Sequence, residues 1–296
     1  MKKRFLLILA VLLFLTGCHS RQVSDTDLAA VPERVAVLFS SLAEIWLEAG
    51  GEVAITVGET VERGLVPEGT PLVDEGAGKT VNLELLVSLE PDLVICSADI
   101  PAQVQAASVL DKAGIPVMLC RVESFADYLD VLSAMALRTG HPEKAEVCGV
   151  MQEEVDAVLS SLRTEEKKTI LFVRAGSTDA STKAKRAEDH FACAMLEEMG
   201  CRNIASDAPA LLDGLSMETI LLADPDYIFF SLMGREETAL AHVQSLLDGE
   251  TWGQLSAVQN GRTVILPKEL FHYKPCGRWP EAYRYLAQIL HTDGNT

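Results

Sequence analysis

Apolar and polar positions alternate along this chain in two periods, and short apolar runs follow amphipathic stretches from Arg34 onward. Residues 34–39 (RVAVLF) read as a first strand. Residues 42–49 have helical spacing, with Ser40-Ser41 placed to cap them and Gly50-Gly51 to close them. Trp46 falls on the apolar side of that helix and is expected in the core. A second strand over 53–57 ends at Gly58-Glu59-Thr60 and runs into a turn-rich section carrying Pro67, Gly69, Pro71, Gly76 and Gly78. The pattern then predicts a helix over 102–113 and a strand over 115–120. One stretch is written twice. VNLELLVSLEPDLVI (81–95) aligns without a gap on LSMETILLADPDYIF (215–229), laying Glu84 over Glu218 and Pro91-Asp92 over Pro225-Asp226. Each copy reads as a short amphipathic helix, a break at proline and a buried strand. A repeat of this period predicts two similar lobes.

Between the copies, Val147, Val150, Met151, Val155, Val158, Leu159 and Leu162 keep helical spacing, and Pro142 suits a first turn. A single long helix over 141–165 is expected to connect the lobes. A strand over 169–174, a helix over 190–199, a strand over 263–266 and a closing helix over 280–290 follow. The expected class is α/β, with an amino-terminal lobe over 33–140 and a carboxyl-terminal lobe over 166–292, each with a parallel sheet covered on both faces.

The start of the chain changes this picture. Lys2, Lys3 and Arg4 precede an apolar run over 5–15, too short to span a membrane and suited to export. Leu15-Thr16-Gly17-Cys18 resembles the lipobox of bacterial lipoproteins. That resemblance implies a signal over 1–17, a lipid on Cys18 and a polar tether over 18–32. The formal charge of −18 becomes −21 once the three cations of the signal are removed. So acidic a body argues against nucleic acid as a partner.

Candidate chemistry is sparse. Gly78-Lys79-Thr80 lacks the first glycine of a phosphate loop, because position 73 is Val73. Neither a G-x-S-x-G elbow nor an H-E-x-x-H pair occurs, so the common hydrolase and metalloprotease signatures are missing. No histidine lies between His19 and His141, which argues against a bare metal ion shared between lobes. Cys96, Cys120, Cys148, Cys193, Cys201 and Cys276 form no C-x-x-C; disulfides and buried thiols both stay open. In open α/β sheets ligands sit at the carboxyl ends of strands. That rule selects Phe39, Ser40, Ser41, Glu59, Ser97, Asp99 and Arg121 from the first lobe. From the second it selects Arg174, Ser231, Met233 and the loop FHYKPCGRW, with His272, Tyr273, Lys274, Arg278 and Trp279. Lys183, Lys185 and Arg186 form a second basic cluster. Two basic clusters on one face point to an anionic ligand, and aromatics interleaved with cations point to a recognition surface.

The doubled segments, the long central helix and GCRNIASDAP (200–209) together resemble the class III substrate-binding proteins of ABC importers, over residues 33–291. The resemblance implies two Rossmann-like lobes joined by a rigid helix, with cargo held between them. It implies no catalysis, no cofactor and no resident metal ion, and a monomer that docks on a permease dimer. The cargo it implies is a ferric siderophore, with haem or a corrinoid such as cobalamin as alternatives, or else an enzyme or sensor built on the same plan. Ligand contacts would come from Phe39, Ser40, Glu59, Ser97, Arg174, Arg186, Met233, His272, Tyr273, Arg278 and Trp279. Glu84 and Glu218 would dock onto the permease, and Cys18 would carry the membrane anchor.

Overall fold

The computed structural model describes residues 30–74, 80–162 and 167–291. The signal over 1–17, most of the 18–32 tether with Cys18, and Gly78-Lys79 lie outside the described residues. The first lobe runs β1 (Val35–Val37), α1 (Ser40–Glu48), α2 (Gly58–Glu62), α3 (Leu83–Ser88), β2 (Leu93–Ser97), α4 (Pro101–Lys112), β3 (Val117–Cys120) and α5 (Phe125–Thr139). Its strands are parallel in the order β1-β2-β3. The expected strand over 53–57 contributes only single parallel bridges, Ala36 to Ile55 and Thr56 to Leu72.

The expected connector is not one continuous helix. A 3₁₀ turn over Pro142–Glu146 precedes α6 (Val147–Ser161). The second lobe runs β4 (Thr169–Ala175), β5 (Lys183–Ala184), α7 (Phe191–Glu198), β6 (Arg202–Asn203), α8 (Ile204–Asp207), α9 (Met217–Ala223) and β7 (Tyr227–Leu232). It continues with α10 (Glu236–Leu247), α11 (Ser256–Gln259), β8 (Thr263–Ile265), α12 (Lys268–Phe271) and α13 (Trp279–His291). Its sheet has the order β5-β4-β7-β8, with β6 also paired to β4, and only β5 is antiparallel. Helices α5 and α10 were not foreseen in the sequence pattern.

Strand alternation decides where the cores sit. Val35, Val37, Leu93 and Ile95 point to one face of the first sheet, and Ile170, Phe172, Tyr227 and Phe229 to one face of the second. These two faces belong to a single buried cluster, closed by Tyr128, Leu132 and Met135 of α5, Met151 and Val155 of α6, and Trp279, Tyr283, Leu286 and Leu290 of α13. The opposite faces have separate cores, Ala36, Leu38, Val94 and Cys96 in one lobe and Leu171, Val173, Ile228 and Phe230 in the other.

The repeated segment has a structural meaning beyond its helix. Asn82 Oδ1 accepts from Leu85 N at 3.0 Å, and at the equivalent place Ser216 Oγ accepts from Thr219 N at 3.5 Å, so both helices begin on a capping side chain. Glu90 and Asp224, each just before its proline, adopt the left-handed backbone at φ 50° and 37°. The aspartates after the prolines clamp the start of the neighbouring strand. Asp92 accepts from Glu33 N (2.6 Å) and Arg34 N (3.0 Å), and Asp226 from Thr169 N (2.7 Å) and Thr169 Oγ1 (2.8 Å). The carboxylate thus ties helix, turn and parallel strand together. Asp226→Ala leaves the partly buried Thr169 amide without its partner and should lower stability by about 1–3 kcal/mol in urea unfolding. The more exposed Asp92→Ala should cost less.

Candidate functional site

Parallel strands bring the carboxyl ends of both sheets to one opening. A cavity of about 500 Å³ lies there, lined from the first lobe by Leu38, Phe39, Ser41, Glu59, Glu62, Asp74 and Gln103, and from the second by Arg174, Met233, His272, Tyr273 and Lys274. Of the eleven expected ligand residues, Phe39, Glu59, Arg174, Met233, His272 and Tyr273 line it.

The other five do not. Ser40 is buried behind the wall, its hydroxyl donating to Glu59 and accepting from Arg63 Nη1 at 3.2 Å. Ser97 is buried at the end of β2, where its amide donates to Gln103 Oε1. Arg186 is held by Glu188 (2.9 Å) and Asp189 (3.2 Å). Arg278 pairs with Glu281 at 2.7 Å and faces a different groove, of about 400 Å³, beside α5, α6 and α13. Trp279 is the plainest correction: it is 0% exposed, not a recognition aromatic. Its ring packs 6.0 Å from Phe125, 5.4 Å from Phe191 and 6.3 Å from Tyr283. The spacing of Trp279, Tyr283, Leu286 and Leu290 down one face of α13 is the signal that marks it as core. Lys183, Lys185 and Arg186 are not among the residues that line the cavity.

Glu62, Asp74 and Gln103 were missed. Asp74 lies in the turn-rich section, where no period marks a residue, and Gln103 lies inside a helix. Gln103 Nε2 donates to Leu38 O (2.6 Å) while its Oε1 accepts from Ser97 N (2.7 Å), fastening α4 across the ends of β1 and β2.

Charged side chains join the lobes at the cavity. The Arg63 guanidinium, paired with Glu44, lies 4.3 Å from the centre of the Tyr273 ring. Lys274 Nζ reaches Glu123 at 3.0 Å. Arg174 is half-buried, and burial lowers its affinity for its proton. His272 Nδ1 faces Leu232 O at 3.0 Å, so Nδ1 carries the hydrogen and Nε2 keeps its lone pair. Desolvation favours its neutral form.

His190 lies beneath this group. It is packed 4.8 Å from the rings of Phe172 and Phe191, and its Nδ1 accepts from Ala192 N at 3.1 Å to cap α7. Desolvation first, then the nearby cations Arg174, Lys274 and Lys185, push its pKa down to about 3. Because the folded value lies below the unfolded one, stability is complete above about pH 6.5 and is lost as pH falls toward 3. Between pH 6.5 and 5 the protein should lose on the order of 1–2 kcal/mol more than His190→Asn, which keeps a capping acceptor and cannot titrate. Denaturant midpoints across that range measure the difference.

Comparison with known proteins agrees with this architecture. The model of the family described as "Periplasmic binding protein" matches residues 35–270. A substrate-binding lipoprotein of an ABC transporter from Bacillus subtilis (strain 168) is 24% identical over 278 residues, covering 91% of this chain and 83% of its own. A vitamin B12-binding protein from Pectobacterium carotovorum is 25% identical over 245 residues, 82% of each chain. The periplasmic heme-binding protein RhuT from Roseiflexus sp. RS-1 superposes with a TM-score of 0.69 at 20% identity, over 88% of this chain and 98% of its own.

Proposed function

The chain belongs to the periplasmic binding protein family, and on that premise we propose that it captures a ferric siderophore outside the cell and hands it to an ABC permease. The observation that carries this reading is the cavity itself. Its walls come from the strand ends of both sheets, its size suits a small-molecule ligand, and it presents a half-buried arginine beside Phe39, Met233 and Tyr273. In this reading residues 33–140 and 166–292 are the two lobes, 141–165 the connector, and Cys18 the lipid attachment that keeps the receptor at the membrane. A lipoprotein among its relatives supports the last point. The work is binding and delivery as a monomer, without chemistry on the cargo.

A second reading has its own observation. His272 is neutral with Nδ1 engaged by a backbone carbonyl, which orients Nε2 as a metal ligand would be oriented. That favours a cargo whose metal has an open axial position, haem or a corrinoid, and a vitamin B12-binding relative supports the corrinoid.

Docking in this reading falls to Glu84 and Glu218. Both are exposed in the first turns of α3 and α9, at matched places in the repeat. Like charges at pseudo-symmetric positions suit a two-fold symmetric partner. Titrating a panel of ferric siderophores, haemin and cyanocobalamin should quench the intrinsic fluorescence for at least one of them; silence across the whole panel rejects the cargo reading. The double variant Glu84→Arg/Glu218→Arg should keep cargo affinity within about twofold while cellular uptake collapses. Undiminished uptake would remove both residues from the docking surface.

A further inference from the structure

We propose that the floor of the cleft holds a subsite for one compact acidic group of the cargo, a carboxylate or a phosphate. It is made by the amino end of α1, the Ser41 hydroxyl and the Arg174 guanidinium. The inference rests on the cleft being the cargo site.

Helix α1 runs for nine residues and opens on Phe39, which offers no side-chain acceptor. Its first turn contains no acidic residue. Leu38, Phe39 and Ser41 line the cavity, so the positive end of the helix dipole, with its unsatisfied amides, lies at that wall.

Two independent observations point to what it takes. Ser41 is 1% exposed, and its Oγ has no hydrogen-bond partner among the described residues. A buried hydroxyl left unpaired is unfavourable, and a ligand oxygen accepting its hydrogen removes the deficit. Across the cavity, Arg174 stands at the end of β4 with its charge partly desolvated and no carboxylate partner among the described residues. The other cations are engaged, Lys274 by Glu123 and Arg63 by Glu44. An incoming anion would supply the counter-charge that Arg174 lacks.

The acids facing the same cavity set the orientation. Glu59, which takes the Ser40 hydroxyl, Glu62, and Asp74, which takes the Gly58 amide, occupy the wall formed by α2 and the segment after it. They repel an anion, so the acidic end of the cargo turns toward α1 and Arg174, and its neutral or cationic part toward α2.

Hydrogen exchange read by mass spectrometry tests this without knowing the cargo. Full-length protein in detergent is exchanged in sodium phosphate, in sodium citrate, or in sodium chloride at matched ionic strength. Phosphate or citrate should protect the amides of 40–42 saturably, and chloride should not. Arg174→Gln should weaken the midpoint about tenfold and Ser41→Ala severalfold. Absence of protection, or a midpoint unchanged in both variants, overturns the subsite. If the fluorescence panel finds a cargo but no anion protects α1, the subsite alone fails. If protection holds and no panel member binds, the cargo reading fails and the subsite stands.

Discussion

One apolar layer governs the geometry of this protein. The inner faces of both sheets are buried against the same continuous core, which α5, α6 and α13 complete. Interiors pack like organic crystals, so the layer sets how far apart the two cleft walls stand. Opening them widely would pull Trp279 from Phe125 and expose apolar area at roughly 25 cal/mol per Å². A shared core therefore favours a cleft that accepts its cargo with little rearrangement. Polar ties reinforce the layer at its edge. Glu48 of α1 accepts from Gly277 N (2.8 Å) and Tyr128 Oη (3.0 Å), and a Cβ at Gly277 would stand 2.8 Å from that carboxylate.

Charge in the cleft is organised by partners more than by number. Arg63 and Lys274 both reach across the lobes, and each is matched by a first-lobe carboxylate. Arg174 is left to act on whatever enters. His190 sits beneath these cations and stays neutral, because an imidazolium there would add one more positive charge to a dry site. The strongly acidic composition of the whole chain says nothing of this local balance.

Much of the fold was legible along the chain. The doubled segment announced two lobes, and its capping side chains, Asn82 and Ser216, stand at the same offset as Glu84 and Glu218. The rule that ligands gather at strand ends found eight cavity residues, Phe39, Ser41, Glu59, Arg174, Met233, His272, Tyr273 and Lys274, because parallel strands aim every carboxyl end the same way. It failed for Arg278 and Trp279, since being near a strand end along the chain does not say which way a loop turns. The six thiols are a similar case. Cys96 and Cys120 end up on opposite faces of the first sheet, all six described cysteines are unpaired, and burial pushes Cys96, Cys120 and Cys201 up to about 12.

The sequence by itself determined many of the periodic elements, their alternation, the repeat and the family, because these depend on local spacing and on proline and capping chemistry. The tertiary structure alone decided that the two lobes share one core, that Trp279 belongs to it, and that the Ser41 hydroxyl and the Arg174 guanidinium face one cavity with no hydrogen-bond or carboxylate partner among the described residues. Those facts depend on which faces meet across more than a hundred residues, and no period along the chain records them. The Pro-Asp turn spans both levels. Its proline ends a helix locally, while its aspartate clamps a strand that begins nearly sixty residues away.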